Sequence, residues 1–459
     1  MMSKESCKMD MCNGPVLQKV IAFSLPLMLS SCLQLLFNAA DVIVVGRFAG
    51  SSSLAAVGST TTIINLLTNL FIGFSIGANV NMARTIGNQD EQGTQDNVHT
   101  AVSVSLISGI ALVIIGVLTA RPFLTWMGTP DDVIGKATLY LTIIFIGMPS
   151  NMAYNFGSSI LRAMGDTKRP LYFLSAAGVL NIILNLIFVI LFRMDVAGVA
   201  LATILSETLS AVLILGCLCK TKGSCHLNIR KLYIHPTQLK RMLRIGLPAG
   251  IQAALFSFSN VLIQSSINSF GSVVMAGSSA AASIENFVYI SMNAVHQAMV
   301  SFVSQNNGAG KAERINKILF SCLFLVTIVG IVMGGGVNLL SVPLLSIYSS
   351  DPAVIAAGQT RLFWISAPYF LCGVMEVIMG VMRGLGYAIT PMLVALSGAC
   401  LFRIIWLQTV FAWHPTQEVL YLSYATSWIL TSFIHLMTYL YARRHHPLFV
   451  KNNHSRQLK

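Results

Sequence analysis

Charge is what this sequence has least of: 10% of its 459 residues are Asp, Glu, Lys or Arg, against 55% hydrophobic. So little polar surface cannot cover a water-soluble body of this size, and both a soluble globular chain and a disordered one are excluded. Acids are scarcer than bases, 16 against 29, for a formal net charge of +13. A nucleic-acid partner would gather that excess on one soluble face. Here the bases are strung through short segments between apolar runs, so no nucleic acid is expected. The nine cysteines form no paired framework, and structural disulfides are not expected. Cys217, Cys219, Cys225 and His226 lack the spacing of zinc ligands. No nucleophile–base or metal constellation lies inside the apolar runs, so the expectation is no enzyme, no catalytic residue, no metal site and no cofactor. "LMLSSC" (27–32) resembles a lipoprotein cleavage box, but the chain stays apolar beyond Cys32, which favours a retained first helix.

Apolar runs of about 20 residues or more, the length that crosses a bilayer as a helix, are what the chain has in plenty. They recur near 17–45, 53–83, 98–120, 137–161, 170–192, 196–219, 245–270, 272–304, 315–347, 354–382, 390–413 and 417–442. The reading is an all-α integral membrane protein of twelve transmembrane helices. Basic residues concentrate on one side: Lys4, Lys8, Lys19, Arg84, Arg162, Lys168, Arg169, the 220–244 segment, Lys311, Arg314, Lys317, Arg383 and the C-terminal tail. The other side has Arg47, Arg121, Lys136, Arg193 and Arg361. Positive charge marks the cytoplasmic face, so both termini are expected inside and the protein in the plasma membrane, with the lipid bilayer as its surroundings.

Sliding the chain on itself by 221 residues lays "ILRAMGDTKRP" (160–170) on "VMRGLGYAITP" (381–391). Gly87 then meets Gly308 and Pro122 meets Pro343, and "IAFSLP" (21–26) is echoed by "LRIGLP" (243–248). Two units of six spans each, entering and leaving on the same side, are parallel repeats. The expected organisation is a cytoplasmic tail at 1–15, an N-lobe at 16–219 (spans 1–6), an inter-lobe linker at 220–244, a C-lobe at 245–442 (spans 7–12) and a basic cytoplasmic tail at 443–459. The linker "KTKGSCHLNIRKLYIHPTQLKRMLR" is expected to include a short amphipathic surface helix. Such a bundle would hold its cavity between the halves and work by alternating access.

Charges at membrane depth are costly unless they pair or face water, and so are functional candidates. They are Asp41, Glu207, Glu285, Glu376 and Arg403. Asp41 stands six residues before Arg47, about 9 Å along the axis. Asn185, Thr203 and Tyr140 fall near that depth by the same count from Arg193, Asp195 and Lys136, and Asn181 lies one turn from Asn185 on the same helix face. Oxygen-bearing side chains from four helices at one level suit a proton or cation. In the second repeat Glu376 takes the place that Asn155 holds in the first, and a Glu285/Arg403 or Glu376/Arg403 pair is expected. Glu207 is mid-span with either a cavity or a packing role. His296 and His435 read as satisfied structural histidines.

"LPLMLSSCLQLLFNAADVIVVGRFAG" (25–50), "LAAVGSTTTI" (54–63), "LRAMGDTKRP" (161–170), "VSQNNGAGKAERI" (303–315) and "MRGLGYAITP" (382–391) together resemble the multidrug and toxic compound extrusion (MATE) family across nearly the whole chain. The resemblance implies two six-helix lobes and export of bulky, often cationic or amphiphilic organic compounds, driven by inward flow of H⁺ or Na⁺. It implies ion coupling at Asp41, lined by Asn181, Thr203 and, less directly, Tyr140. The chain departs from the family at "NIILN" (181–185), where Asn185 replaces a usual aspartate and leaves Asp41 as the carboxylate at that depth. The seventh helix has no acid, and the tenth offers Glu376, displaced from the family's position. Glu376, Glu285, Arg403, Asn155 and Glu207 are kept as candidates for the substrate cavity or second-lobe polar sites. The expected activity is multidrug efflux by a monomeric antiporter, with a flippase for a lipid-linked saccharide as the alternative.

Overall fold

A computed structural model of the chain describes residues 9–450. Parts of both expected tails, with Lys4, Lys8, Lys451, Arg456 and Lys459, lie outside the described residues. Within them the chain forms helices and no strand: α1 (Val16–Phe48), α2 (Ser51–Gly87), α3 (Glu91–Trp126), α4 (Asp131–Ile146), α5 (Met148–Ala163), α6 (Lys168–Asn185), α7 (Asp195–Lys220), α8 (Pro236–Asn268), α9 (Ser272–Gly308), α10 (Ala312–Leu339), α11 (Ser341–Ser346), α12 (Pro352–Ser366), α13 (Tyr369–Gly384), α14 (Ile389–Ala395), α15 (Phe402–Gln408), α16 (Val410–Trp413) and α17 (Gln417–His445). Among the described residues ten helices are long and apolar enough to cross a membrane, and counting each of two bent pairs as one span brings the number to twelve. α4 and α5 meet at 46°, α12 and α13 at 41°. Gly147 stands at the first break and Pro368 at the second, 221 residues apart. Pro149 and Pro368 lack the N–H that would bond one turn back, which is why each run bends there. Segments of π-helix close the fifth span at Leu186–Leu191 and interrupt the eleventh at Leu396–Leu401.

The repeat is written in the backbone as well as in the sequence. Gly50 and Gly271 open α2 and α9 at φ 85° and 91°, and Gly165 and Gly386 share φ 85° and 98°. Gln89, at φ 57°, holds the left-handed turn that Gly310 makes at φ 71° in the second repeat.

Packing divides the described residues into one unit of Leu29–Gly250 with Met9 and Asp10, and a second of Met11–Met28 with Ile251–Val450. α1 and α8 each change unit a few residues past their internal prolines, Pro26 and Pro248. In the first unit α2 and the start of α8 meet backbone to backbone through Gly73, Gly77, Gly246 and Gly250, two small-xxx-small patterns. A Cβ on Gly77 would lie 2.1 Å from the Met242 carbonyl oxygen, and one on Gly73 2.3 Å from the Gly250 nitrogen. In the second unit the residues ahead of α1 are gripped by the "VSQNNGAGKAERI" segment. Asn306 Nδ2 donates to the Met11 carbonyl at 3.0 Å, and Lys311 Nζ to the Cys12 carbonyl at 2.9 Å and Asn13 Oδ1 at 2.6 Å. Phe23 packs edge-on against Phe302 at 5.5 Å.

The segment after α7 does not form the expected surface helix. It makes two 3₁₀ turns, Gly223–Cys225 and Ile229–Lys231, and its last residues are the opening turns of α8, started by Pro236. Cys225 and Leu227 are buried in the core of the first unit, and polar contacts to α3 hold the segment as well. The Tyr233 hydroxyl donates to Asp96 Oδ1 at 2.5 Å, its ring stacks on His99 at 5.0 Å, and the Asn228 N–H donates to His99 Nε2 at 3.3 Å. Burial and the Asp96 carboxylate push the Tyr233 phenol up to about 12.

Candidate functional site

In the first unit, α1, α6 and α7 bring Asp41, Asn181, Asn185 and Thr203 together. Asn181 and Asn185 are one helical turn apart, and Asn185 is the last residue of α6 before the π segment. Asn185 Nδ2 donates to Asp41 Oδ1 at 2.5 Å and to Asn181 Oδ1 at 3.2 Å. Thr203 Oγ1 lies 3.4 Å from Asp41 Oδ2 and 3.0 Å from the Val199 carbonyl, so its single proton serves two acceptors. Asn185 is fully buried, and its Oδ1 has no hydrogen-bond partner among the described residues. The site therefore holds one carboxylate, an orphaned amide oxygen and a hydroxyl whose proton is contested. That inventory is short of positive charge and of donors, which is what a proton or a cation supplies. Tyr140 is buried within electrostatic reach of both Asp41 and Glu207 and makes no hydrogen bond to Asp41.

Glu207 follows Thr203 by one turn on α7, on the same face. Asn151 Nδ2 donates to its Oε1 at 2.8 Å, and Asn155 Nδ2 donates to Asn151 Oδ1 at 2.9 Å. Asn155 thus reaches Glu207 through Asn151, a residue that sequence reasoning did not single out. The signal for it was its place one turn before Asn155 on α5.

The second unit overturns the expected pairs with Arg403. Glu285 on α9 is held by Arg361 on α12, with Nε at 3.1 Å from Oε1 and Nη2 at 2.9 Å from Oε2, while Arg361 Nη1 donates to Ser278 at 2.7 Å. Arg361, counted in sequence as an outer-loop residue, is 8% exposed inside the tenth span. The apolar run drawn at 354–382 already enclosed it, and that was the available signal. Glu376 faces His296, whose Nδ1 is 3.5 Å from its Oε2 and 2.6 Å from its carbonyl oxygen. Arg383 bonds Gln252 Oε1 at 2.9 Å, approaches His296 Nε2 at 3.4 Å, and lies within electrostatic reach of Glu376. Arg403 turns to α17, where it bonds Ser427 and lies over the Tyr424 ring. His296 is held by these contacts, whereas both ring nitrogens of the buried His435 have no partner among the described residues.

Residues 26–187 and 248–407 match the MatE family model, one match in each repeat. The chain is 28% identical over 443 residues to "Probable multidrug resistance protein YpnP" of Bacillus subtilis, covering 95% of this chain and 97% of that one. It is 25% identical over 390 residues to "Probable multidrug resistance protein NorM" of Thermotoga maritima, covering 82% of each. Its fold is that of a MOP superfamily transporter from Pyrococcus furiosus, with a TM-score of 0.88 at 20% identity over 98% of this chain and 99% of that one. With both halves matched by one family model, the chain belongs to the MatE family, the multidrug and toxic compound extrusion proteins, and is a multi-pass membrane transporter rather than an enzyme.

Proposed function

We propose that the chain exports bulky, cationic or amphiphilic organic compounds by antiport against H⁺ or Na⁺, with Asp41 as the coupling group. The single observation that carries the coupling role is the Asp41 setting: a carboxylate in a span, met by Asn185 and Thr203 and by no cationic side chain among the described residues, beside the orphaned Asn185 oxygen. A carboxylate taken out of water without a partner is costly, so an arriving proton or ion stabilises the packed arrangement. A proton on Asp41 turns it into a donor, which fits the Thr203 oxygen when the Thr203 proton goes to Val199. A Na⁺ ion would instead draw on the Asp41, Asn181, Asn185 and Thr203 oxygens. Either must bind the outward- and inward-open states with different affinity, or it drives nothing.

The multidrug names of the Bacillus and Thermotoga relatives support the choice of substrate class over a lipid-linked saccharide. In this reading the transporter acts as a monomer in the plasma membrane with both termini in the cytoplasm, and needs no cofactor besides its ion. The test is dye efflux from proteoliposomes driven by a pH gradient alone and by a Na⁺ gradient alone. One of the two gradients should stimulate efflux, and Asp41→Asn should abolish that stimulation in a folded protein. Stimulation that survives Asp41→Asn overturns the assignment.

A further inference from the structure

Two arginines are buried at membrane depth in α12 and α15 of the second unit, and they are treated differently. Arg361 bonds both carboxylate oxygens of Glu285 and the Ser278 hydroxyl. Arg403, 6% exposed near the middle of the 25-residue span Ile389–Trp413, makes one hydrogen bond among the described residues, from Nε to Ser427 Oγ at 2.9 Å. A guanidinium has five N–H donors. The four on Nη1 and Nη2 have no acceptor among the described residues.

Aromatic faces are the remaining compensation: the guanidinium carbon is 4.1 Å from the Tyr424 centroid and 5.9 Å from that of Trp428. Such contacts attract a cation but accept none of its outward hydrogen bonds. No carboxylate among the described residues pairs with it. Glu285 is engaged by Arg361, and Glu376 lies with His296 and Arg383. The π segment Leu396–Leu401 ends one residue before α15 begins, so the helix is locally rewound just ahead of Arg403. Such rewinding recurs where a side chain is aimed at a ligand.

We propose that Arg403 is an oxyanion-binding site that takes the carboxylate of an amphiphilic organic compound on its free Nη1 and Nη2 groups. The fork geometry of a guanidinium matches a carboxylate, and Tyr424 and Trp428 back the cation without competing for those donors. The site stands on geometry in the second unit and is independent of whether Asp41 couples an ion. It adds organic acids and zwitterions to the cationic compounds proposed above.

The test is binding of dansylglycine against dansylglycinamide to the full chain in phosphatidylcholine nanodiscs, read by fluorescence. The acid should bind about tenfold or more tightly than the amide, as expected for a charge-assisted pair out of bulk water. Arg403→Gln should erase that preference, and Arg403→Lys should keep part of it. Equal affinity of acid and amide for the unmodified chain, which requires no variant to fold, overturns the proposal. So does a preference that persists in Arg403→Gln. Repeating the measurement in dodecyl maltoside micelles, which contain no phosphate, separates the sources of oxyanion. An acid preference that appears in the micelles and not in the phospholipid disc assigns the site to a lipid phosphate and overturns the assignment to an organic substrate.

Discussion

Breaking the Glu285–Arg361 pair tests how the second unit stabilises charge inside a membrane span. Arg361 makes contacts of 3.1, 3.3 and 2.9 Å to the two Glu285 oxygens and a further one of 2.7 Å to Ser278, and both partners are under 10% exposed. Arg361→Leu leaves a buried carboxylate and the Ser278 hydroxyl without their donors. Loss of one partner of a buried pair costs about 3–5 kcal/mol, because the remaining charge is uncompensated. Replacing both residues, Glu285→Leu with Arg361→Leu, removes the desolvation cost along with the attraction and should leave stability within about 1 kcal/mol of the original. With about 3–5 kcal/mol lost at each single substitution, the coupling energy from the cycle is therefore expected at about 5 kcal/mol or more. Unfolding in mixed micelles titrated with dodecyl sulfate, followed by loss of helical circular dichroism, measures all four corners. Single substitutions that each cost under about 1 kcal/mol and simply add would refute the reasoning, and would mean that water reaches the pair.

Gln89→Gly should stabilise the first unit by about 0.5–1 kcal/mol, because a left-handed residue with a Cβ costs about 1–2 kcal/mol and glycine returns part of that through the entropy of the unfolded chain; the same unfolding titration reads it, with Gly310→Ala moving the opposite way. Gly77→Leu should abolish stable folding of the first unit, since even a Cβ there falls 2.1 Å from the Met242 carbonyl oxygen, and yield of monodisperse protein in detergent is the check. The Tyr233 phenol is raised to about 12, so the neutral donating form belongs to the folded chain. Its contribution is complete below the ordinary tyrosine value of about 10 and is lost as pH rises through about 12. An ultraviolet tyrosinate titration of the protein, minus that of Tyr233→Phe, should isolate a phenol titrating near 12.

Span number, repeat offset and the Asp41 cluster were legible in the sequence because each depends on position along a helix. Apolar length fixes which segments cross, and depth counted from the interface places Asp41, Asn185 and Thr203 at one level; the four-residue step puts Asn181 beside Asn185. The bends at Gly147 and Pro368 were hidden because a span broken by 46° or 41° keeps an unbroken apolar run. The surface helix expected after α7 failed for a related reason. The segment does carry basic and apolar residues, but Cys225 and Leu227 are taken up by the core, and His99 and Asp96 on α3 bond its backbone and Tyr233.

The pairings of the second unit were illegible because they depend on rotation about the helix axis, and sequence counting carries no rotational reference between helices. Arg403 illustrates the point. A π turn inserts an extra residue into the winding, and one residue is a rotation of about 100°. The expected pairs with Arg403 rested on depth in the spans alone, and Glu285 and Glu376 are found with Arg361 and with His296 and Arg383 instead. In the first unit Asn185 comes just before its π segment, so depth and face were still in register where they were needed. Depth counting thus recovers a cluster whose members share one level, Asp41 with Asn185 and Thr203, and leaves the partner of Arg403 open among several groups of similar depth, where only the rotation of each helix decides.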